Sequence, residues 1–218
     1  MHPERKLYRW EEIGDTPSEA GVYAWYYRHT LTDFDITKLI SDLKLLGPKE
    51  AEDRVFLFLE KNLFRPFLEE PYEAVIRGPL KPTYQGKLSN KANISPDLIE
   101  RIALDPTRLW TIKNILVGAA PEFASPIYIG MASSLRTRLS KHKRLIERYM
   151  SAGGEKLDDG QLTQTEISDQ SFAREVVRRG FGTNGLAVAA LVIDTPESIH
   201  VDIENILNRI NFPLCGRN

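Results

Sequence analysis

Three kinds of apolar spacing divide the chain. Residues 21–27 (Gly-Val-Tyr-Ala-Trp-Tyr-Tyr) are crowded with β-forming aromatics and follow the turn-like run Asp15-Thr16-Pro17-Ser18, which predicts a strand. Residues 127–129 read as its partner. Residues 186–193 form a nearly continuous apolar run, as expected of a strand covered on both faces. Elsewhere the period is helical. Leu135, Leu139, His142, Ile146 and Tyr149 fall on one helical stripe, with Ser133-Ser134 placed to cap its start and Ser151-Ala152-Gly153-Gly154 to end it. A short helix is predicted over 171–179. The last helix has Thr195 as its cap and Pro196 at its first position, and runs to about residue 210. Ile199, Ile203, Ile206, Leu207 and Ile210 are expected to form its buried stripe, with Glu204 at the flank.

The segment between the first two strands is patterned differently. Helices are predicted near 36–46 and 48–62, an extended Gly/Pro-punctuated stretch over 72–88, and further helices around 96–103 and 106–117. That is too much structure for a linker. The expected architecture is therefore α/β (α+β): a small β-sheet flanked by helices, in the order strand, strand, helix, strand, helix. Residues 1–28 and 126–218 form its core, and a large, mainly helical insertion, residues 29–125, lies between two strands that remain neighbours.

Composition changes this picture little. Charged residues make up 27% and hydrophobic ones 42% of the 218 positions, the balance of an ordinary globular protein. The single cysteine, Cys215, excludes an intrachain disulfide or a Cys-rich zinc site, so a reducing cytoplasm is the simplest compartment. The longest apolar run falls far short of the roughly 20 residues that span a bilayer, and the N-terminus is polar, so no membrane role is expected. The net charge of −1 argues against a protein that coats nucleic acid indiscriminately. Its distribution matters more. Arg136, Arg138, Lys141, Lys143, Arg144 and Arg148 are offset locally only by Glu147, and the acid-free stretch 74–96 carries Arg77, Lys81, Lys87 and Lys91. Either run is ordinarily a solvated face; either could follow a phosphate backbone.

The helical stripe also places chemistry. It turns His142 inward, with Arg138 bordering the same stripe one turn earlier and Arg136, Lys143 and Arg144 pointing elsewhere. Taken alone these are a core histidine and an arginine whose stem lines the core edge. Glu204, at the flank of the last helix, is placed to face a cleft, and a carboxylate there suits a divalent ion with few protein ligands.

The ordered set Gly21-Val22-Tyr23, Tyr128-Ile129-Gly130, Arg138, His142, Glu204, Pro213 and Asn218 resembles the GIY-YIG nuclease superfamily, most closely its type II restriction endonucleases. Compact members hold their two tyrosines in one hairpin, whereas here they stand 105 positions apart. The resemblance implies a metal-dependent endonuclease cutting double-stranded DNA, with Mg2+ or Mn2+ held by Glu204. It implies Tyr23 as general base assisted by His142, Arg138 on the scissile phosphate, and Tyr128 and Asn218 as orienting groups. A homodimer would suit a symmetric target. Arg136, Lys141, Lys143 and Arg144, with Arg77, Lys81, Lys87 and Lys91 of the insertion, are the expected nucleic-acid contacts. The alternatives are a repair or mobile-element nuclease, an RNA-targeting defence nuclease and a non-cleaving nucleic-acid-binding module.

Overall fold

The computed structural model describes residues 5–68, 72–79, 81–88, 93–119, 123–153, 164–193 and 199–216. Four antiparallel strands form its main sheet: β1 (Lys6–Arg9), β2 (Gly21–Tyr27), β5 (Tyr128–Ala132) and β6 (Leu186–Val192), in the spatial order β1-β6-β2-β5. β2 is central. It pairs with β6 on one side and with β5 on the other, so Tyr23 lies between Ala190 and Gly130, two of the smallest possible neighbours. β1 has only four residues, too few to show an alternation, and was not expected from the sequence.

Gly21 and Gly130 are fixed by close approach. A Cβ on Gly21 would lie 2.1 Å from the Leu191 carbonyl oxygen, and one on Gly130 would lie 2.6 Å from the Tyr23 hydroxyl. Only a residue without a side chain lets these backbones and rings meet.

Helices α5 (Leu135–Ser151) and α6 (Gln164–Arg178) pack on each other. The buried residues of α5 are Leu135, Leu139, His142, Ile146 and Tyr149, the stripe read from the sequence. Ser134 caps α5 by accepting the Thr137 amide, and Gly153, at φ +67°, follows its last turn. α6 starts earlier than the expected 171–179, because its first turns are mostly polar and show little apolar period.

The last helix, α7 (Ile199–Asn211), departs from expectation. Ile206 and Ile210 are 56% and 67% exposed and Ile199 is also exposed, whereas Ile203, Glu204, Leu207, Asn208 and Asn211 are half-buried. The helix lies against β5 and β2 on this mixed face, so the apolar stripe is rotated outward and Glu204 inward. The expected cap, Thr195-Pro196, lies outside the described residues.

The chain divides into two compact units, Met1–Thr30 with Lys113–Asn218, and Leu31–Ile112. The second contains α1 (Asp33–Leu43), α2 (Pro48–Leu59), α3 (Pro96–Leu104) and the start of α4 (Arg108–Ala119). It also holds a hairpin, β3 (Tyr72–Gly78) with β4 (Lys81–Leu88), where the sequence showed only an extended stretch, because Gly78, Pro79, Pro82 and Gly86 blur its alternation. Thr32 and Asp35 form a reciprocal capping box at the start of α1. Among the described residues no helix is long and apolar enough to cross a membrane.

Candidate functional site

β2 and β5 deliver their tyrosines to one face. In the antiparallel register Tyr23 opposes Gly130 and Tyr128 opposes Trp25, which makes the two tyrosines diagonal neighbours. Their rings stack at 6.2 Å between centroids. From α5, His142 meets both ring edges at 5.6 Å, and its Nε2 lies 3.5 Å from the Tyr23 hydroxyl. Arg138, one turn earlier, donates its Nε–H to the same hydroxyl at 3.2 Å. Four residues from two distant stretches of chain thus converge.

The group that ties them together is Asp169 on α6, which sequence reasoning did not identify. Its carboxylate is 0% exposed. Arg138 grips it with both Nη groups, at 2.8 and 2.7 Å, in the bidentate fork that planar guanidinium favours. His142 Nε2 is 2.9 Å from its Oδ1 and Lys141 Nζ is 3.3 Å from its Oδ2. A legible signal was present: Asp169, Phe172, Ala173 and Val176 sit at i, i+3, i+4 and i+7, so the acid occupies a position on an apolar stripe. A buried acid needs cationic or hydrogen-bonding partners, and here they are the suspected catalytic residues.

Electrostatics follow from burial. Burial pushes the Tyr23 phenol well above 10, the adjacent Tyr128 adds to this, and Arg138 offsets only part. Burial likewise holds His142 below its usual 6.5, with Asp169 pulling the other way. For Asp169 the balance reverses: burial raises its pKa, but His142, Arg138 and Lys141 together hold it below 3.8. The cluster at neutral pH is therefore a protonated Tyr23, a neutral His142 and an ionised Asp169 facing two cations. With Nε2–H directed at Asp169, Tyr23 Oη is a second, longer acceptor for the same proton.

A cleft of about 1030 Å³ runs past this cluster. All five residues of β5, the edge strand, line it, together with Arg138 and Lys141 from α5 and Glu204, Asn208 and Arg209 from α7. Tyr23 and His142 lie behind the wall and do not line it. Glu204 is half-buried and accepts from Asn208 Nδ2 at 2.8 Å through Oε1.

The remaining expected residues divide. Arg136 donates to the Thr16 carbonyl at 2.7 Å, and Lys143 donates to the Trp10 carbonyl at 3.0 Å while sitting over that indole. Both fasten α5 to the N-terminal segment, and neither lines the cleft. Arg144 is exposed and also absent from the cleft wall; Lys141 is the other α5 cation that reaches it. Arg77 and Lys87 are exposed on the β3–β4 hairpin and Lys81 pairs with Gly78 at its end, whereas Lys91 and Asn218 lie outside the described residues. Cys215 is buried, its thiol pushed up to about 12 by that burial, which makes it an unreactive packing residue.

Among the described residues no group of three or more His, Cys, Asp or Glu side chains is gathered around a metal position. A single carboxylate at the cleft wall, Glu204, matches instead the sparse protein ligation of Mg2+, which keeps waters and takes substrate phosphate oxygens. No protein-family model, curated protein or solved structure matches the chain.

Proposed function

We propose that this chain is a metal-dependent endonuclease that hydrolyses phosphodiester bonds in double-stranded DNA, with the site-specific restriction endonucleases as its nearest functional type. The observation that carries this reading is the convergence of Tyr23, Tyr128, Arg138 and His142 beside a cleft whose far wall presents Glu204. In this reading water attacks phosphorus, the bond to the leaving deoxyribose oxygen breaks, and a protein group accepts the water's proton. Arg138 and Lys141 neutralise charge on the phosphoryl oxygens. Asp169 holds the Arg138 fork from behind, leaving its outer N–H groups for phosphate. Tyr128 in the cleft wall orients the reacting groups. Glu204 is the residue that would hold Mg2+ or Mn2+, which when bound supplies Lewis-acid stabilisation and lowers the pKa of a bound water.

Tyr23 is assigned the proton-accepting role. Its buried phenol is protonated at neutral pH, so cleavage through it rises with pH well past neutrality. The deciding experiment is a cleavage assay on duplex DNA, single strands and RNA, with and without Mg2+, repeated across alkaline pH. Mg2+-dependent duplex cutting that climbs with pH supports the reading. Cutting confined to RNA reassigns the substrate, and no cutting with retained binding supports the second reading, a non-cleaving nucleic-acid-binding module. One observation favours that alternative: Tyr23 is sealed behind the cleft wall.

A further inference from the structure

Phe212 is the only non-glycine among the described residues with a left-handed backbone, at φ 45°. It follows the last turn of α7, where its amide donates to the Asn208 carbonyl at 3.1 Å. The chain then reverses. Pro213 is buried, and the Cys215 amide donates to the Ile127 carbonyl at 2.6 Å, so both sides of Phe212 are pinned. Such a reversal after a helix is ordinarily made by glycine or asparagine, because a bulky side chain there costs free energy. Phenylalanine gains nothing in return from packing: its ring is 83% exposed. The ring nonetheless lines the cleft, beside Asn208 and Arg209 and on the same cavity as Arg138 and Lys141.

We propose that Phe212 is a nucleobase-stacking residue, an exposed aromatic platform on a pinned backbone in the cleft lining, which receives the face of one base while the cleft cations hold the adjoining phosphates. The proposal rests on the nucleic-acid reading above and adds to it the element that grips a base. Stacking suits the observations because it needs an exposed π-face carried on a pinned backbone, on the same cavity as cations, and rewards nothing buried. Ile206 and Ile210 are exposed as well, yet neither lines the cleft, which separates Phe212 from the outer apolar face of α7.

The test compares wild type with Phe212→Ala, Phe212→Gly and Phe212→Trp, measuring anisotropy of fluorescein-labelled duplex and single-stranded DNA with Ca2+ replacing Mg2+. The alanine and glycine variants are expected to bind about tenfold more weakly, the loss of one stacked base. Their dependence of affinity on salt should be unchanged, because no charge is removed. The tryptophan variant should bind as wild type does, with its added fluorescence quenched by DNA. Phe212→Gly should unfold at or above the wild-type temperature, since relief of the backbone conformation leaves the fold intact. Wild-type affinity in the alanine variant overturns the stacking role alone, as does unchanged affinity with a shift toward monomer in sedimentation, which assigns the ring to self-association. A wild-type protein that binds no nucleic acid overturns both the stacking role and the endonuclease reading.

Discussion

Along one wall of the cleft Arg138 and Lys141 are tied to the buried Asp169, and behind that wall His142 bonds the same carboxylate while Tyr23 is wedged between Gly130 and Ala190. Along the other, Glu204 receives a bond from Asn208 one turn on, and the helix that carries it leaves Ile206 and Ile210 in solvent. The first wall is over-determined: Tyr23, His142, Arg138 and Asp169 each have two or more partners in this cluster, so removing any one weakens the bonding of at least two others. The second is positioned by a single helix resting on a sheet edge. On the proposed reading, a cleft built this way would hold the groups meant for phosphate more firmly than Glu204, the residue proposed to hold the metal.

The largest test of that contrast pairs Arg138→Ala with Glu204→Ala. Removing Arg138 leaves a fully buried carboxylate short of its main partner, and urea unfolding should show a loss of about 3–5 kcal/mol together with loss of cleavage. Glu204→Ala should change stability by no more than about 0.5 kcal/mol while abolishing Mg2+-dependent cutting. Equal destabilisation at the two positions would erase the distinction between the walls. Next in size is Gly130→Ala. A Cβ placed 2.6 Å from the Tyr23 hydroxyl must displace that ring or the strand, at about 1–3 kcal/mol in thermal or urea unfolding.

Asp169→Asn keeps the volume and removes the charge. Steady-state cleavage should then show kcat reduced about tenfold, the scale of a lost charge-assisted bond, with KM for duplex DNA unchanged or lowered because the cleft has become more positive. An unchanged kcat would mark Asp169 as a packing residue only.

The smallest effect is on stability against pH. His142 is held below 6.5 in the folded chain, so as pH falls through 6.5 the unfolded chain binds a proton that the folded chain refuses, and stability declines until the folded value is reached. Asp169 acts at lower pH: its contribution is complete above 3.8 and is lost as pH falls through its depressed folded value. Chemical denaturation between pH 7 and 5 should show the first slope in wild type and not in His142→Gln.

Much of the rigid wall was legible. The tyrosines sit in strands whose aromatic content is explicit, and the α5 stripe named its buried residues one for one. Asp169 is not marked by apolar period alone, because the turns around it are polar and such a reading starts the helix after it. On α7 the same reasoning failed in the other direction. Hydrophobic periodicity assumes that the apolar side faces inward, but a helix bordering a polar cleft gains by turning Glu204 and Asn208 toward it and leaving isoleucines outside. Arg136 and Lys143 show that a basic run can be spent on carbonyls of the same chain.

The ladder from Gly21↔Ala132 to Trp25↔Tyr128 joins strands whose tyrosines are 105 positions apart. Loop-closure entropy grows only logarithmically with length, so stretching a dozen-residue connection to about a hundred costs only about 2 kcal/mol. The expense falls on kinetics instead, because ends this distant meet rarely in an unfolded chain, and such non-local pairing slows folding. A lineage carrying this sheet can therefore lengthen, shorten or exchange the intervening segment at little thermodynamic penalty, provided that what it inserts folds quickly enough to bring Tyr23 and Tyr128 back into register.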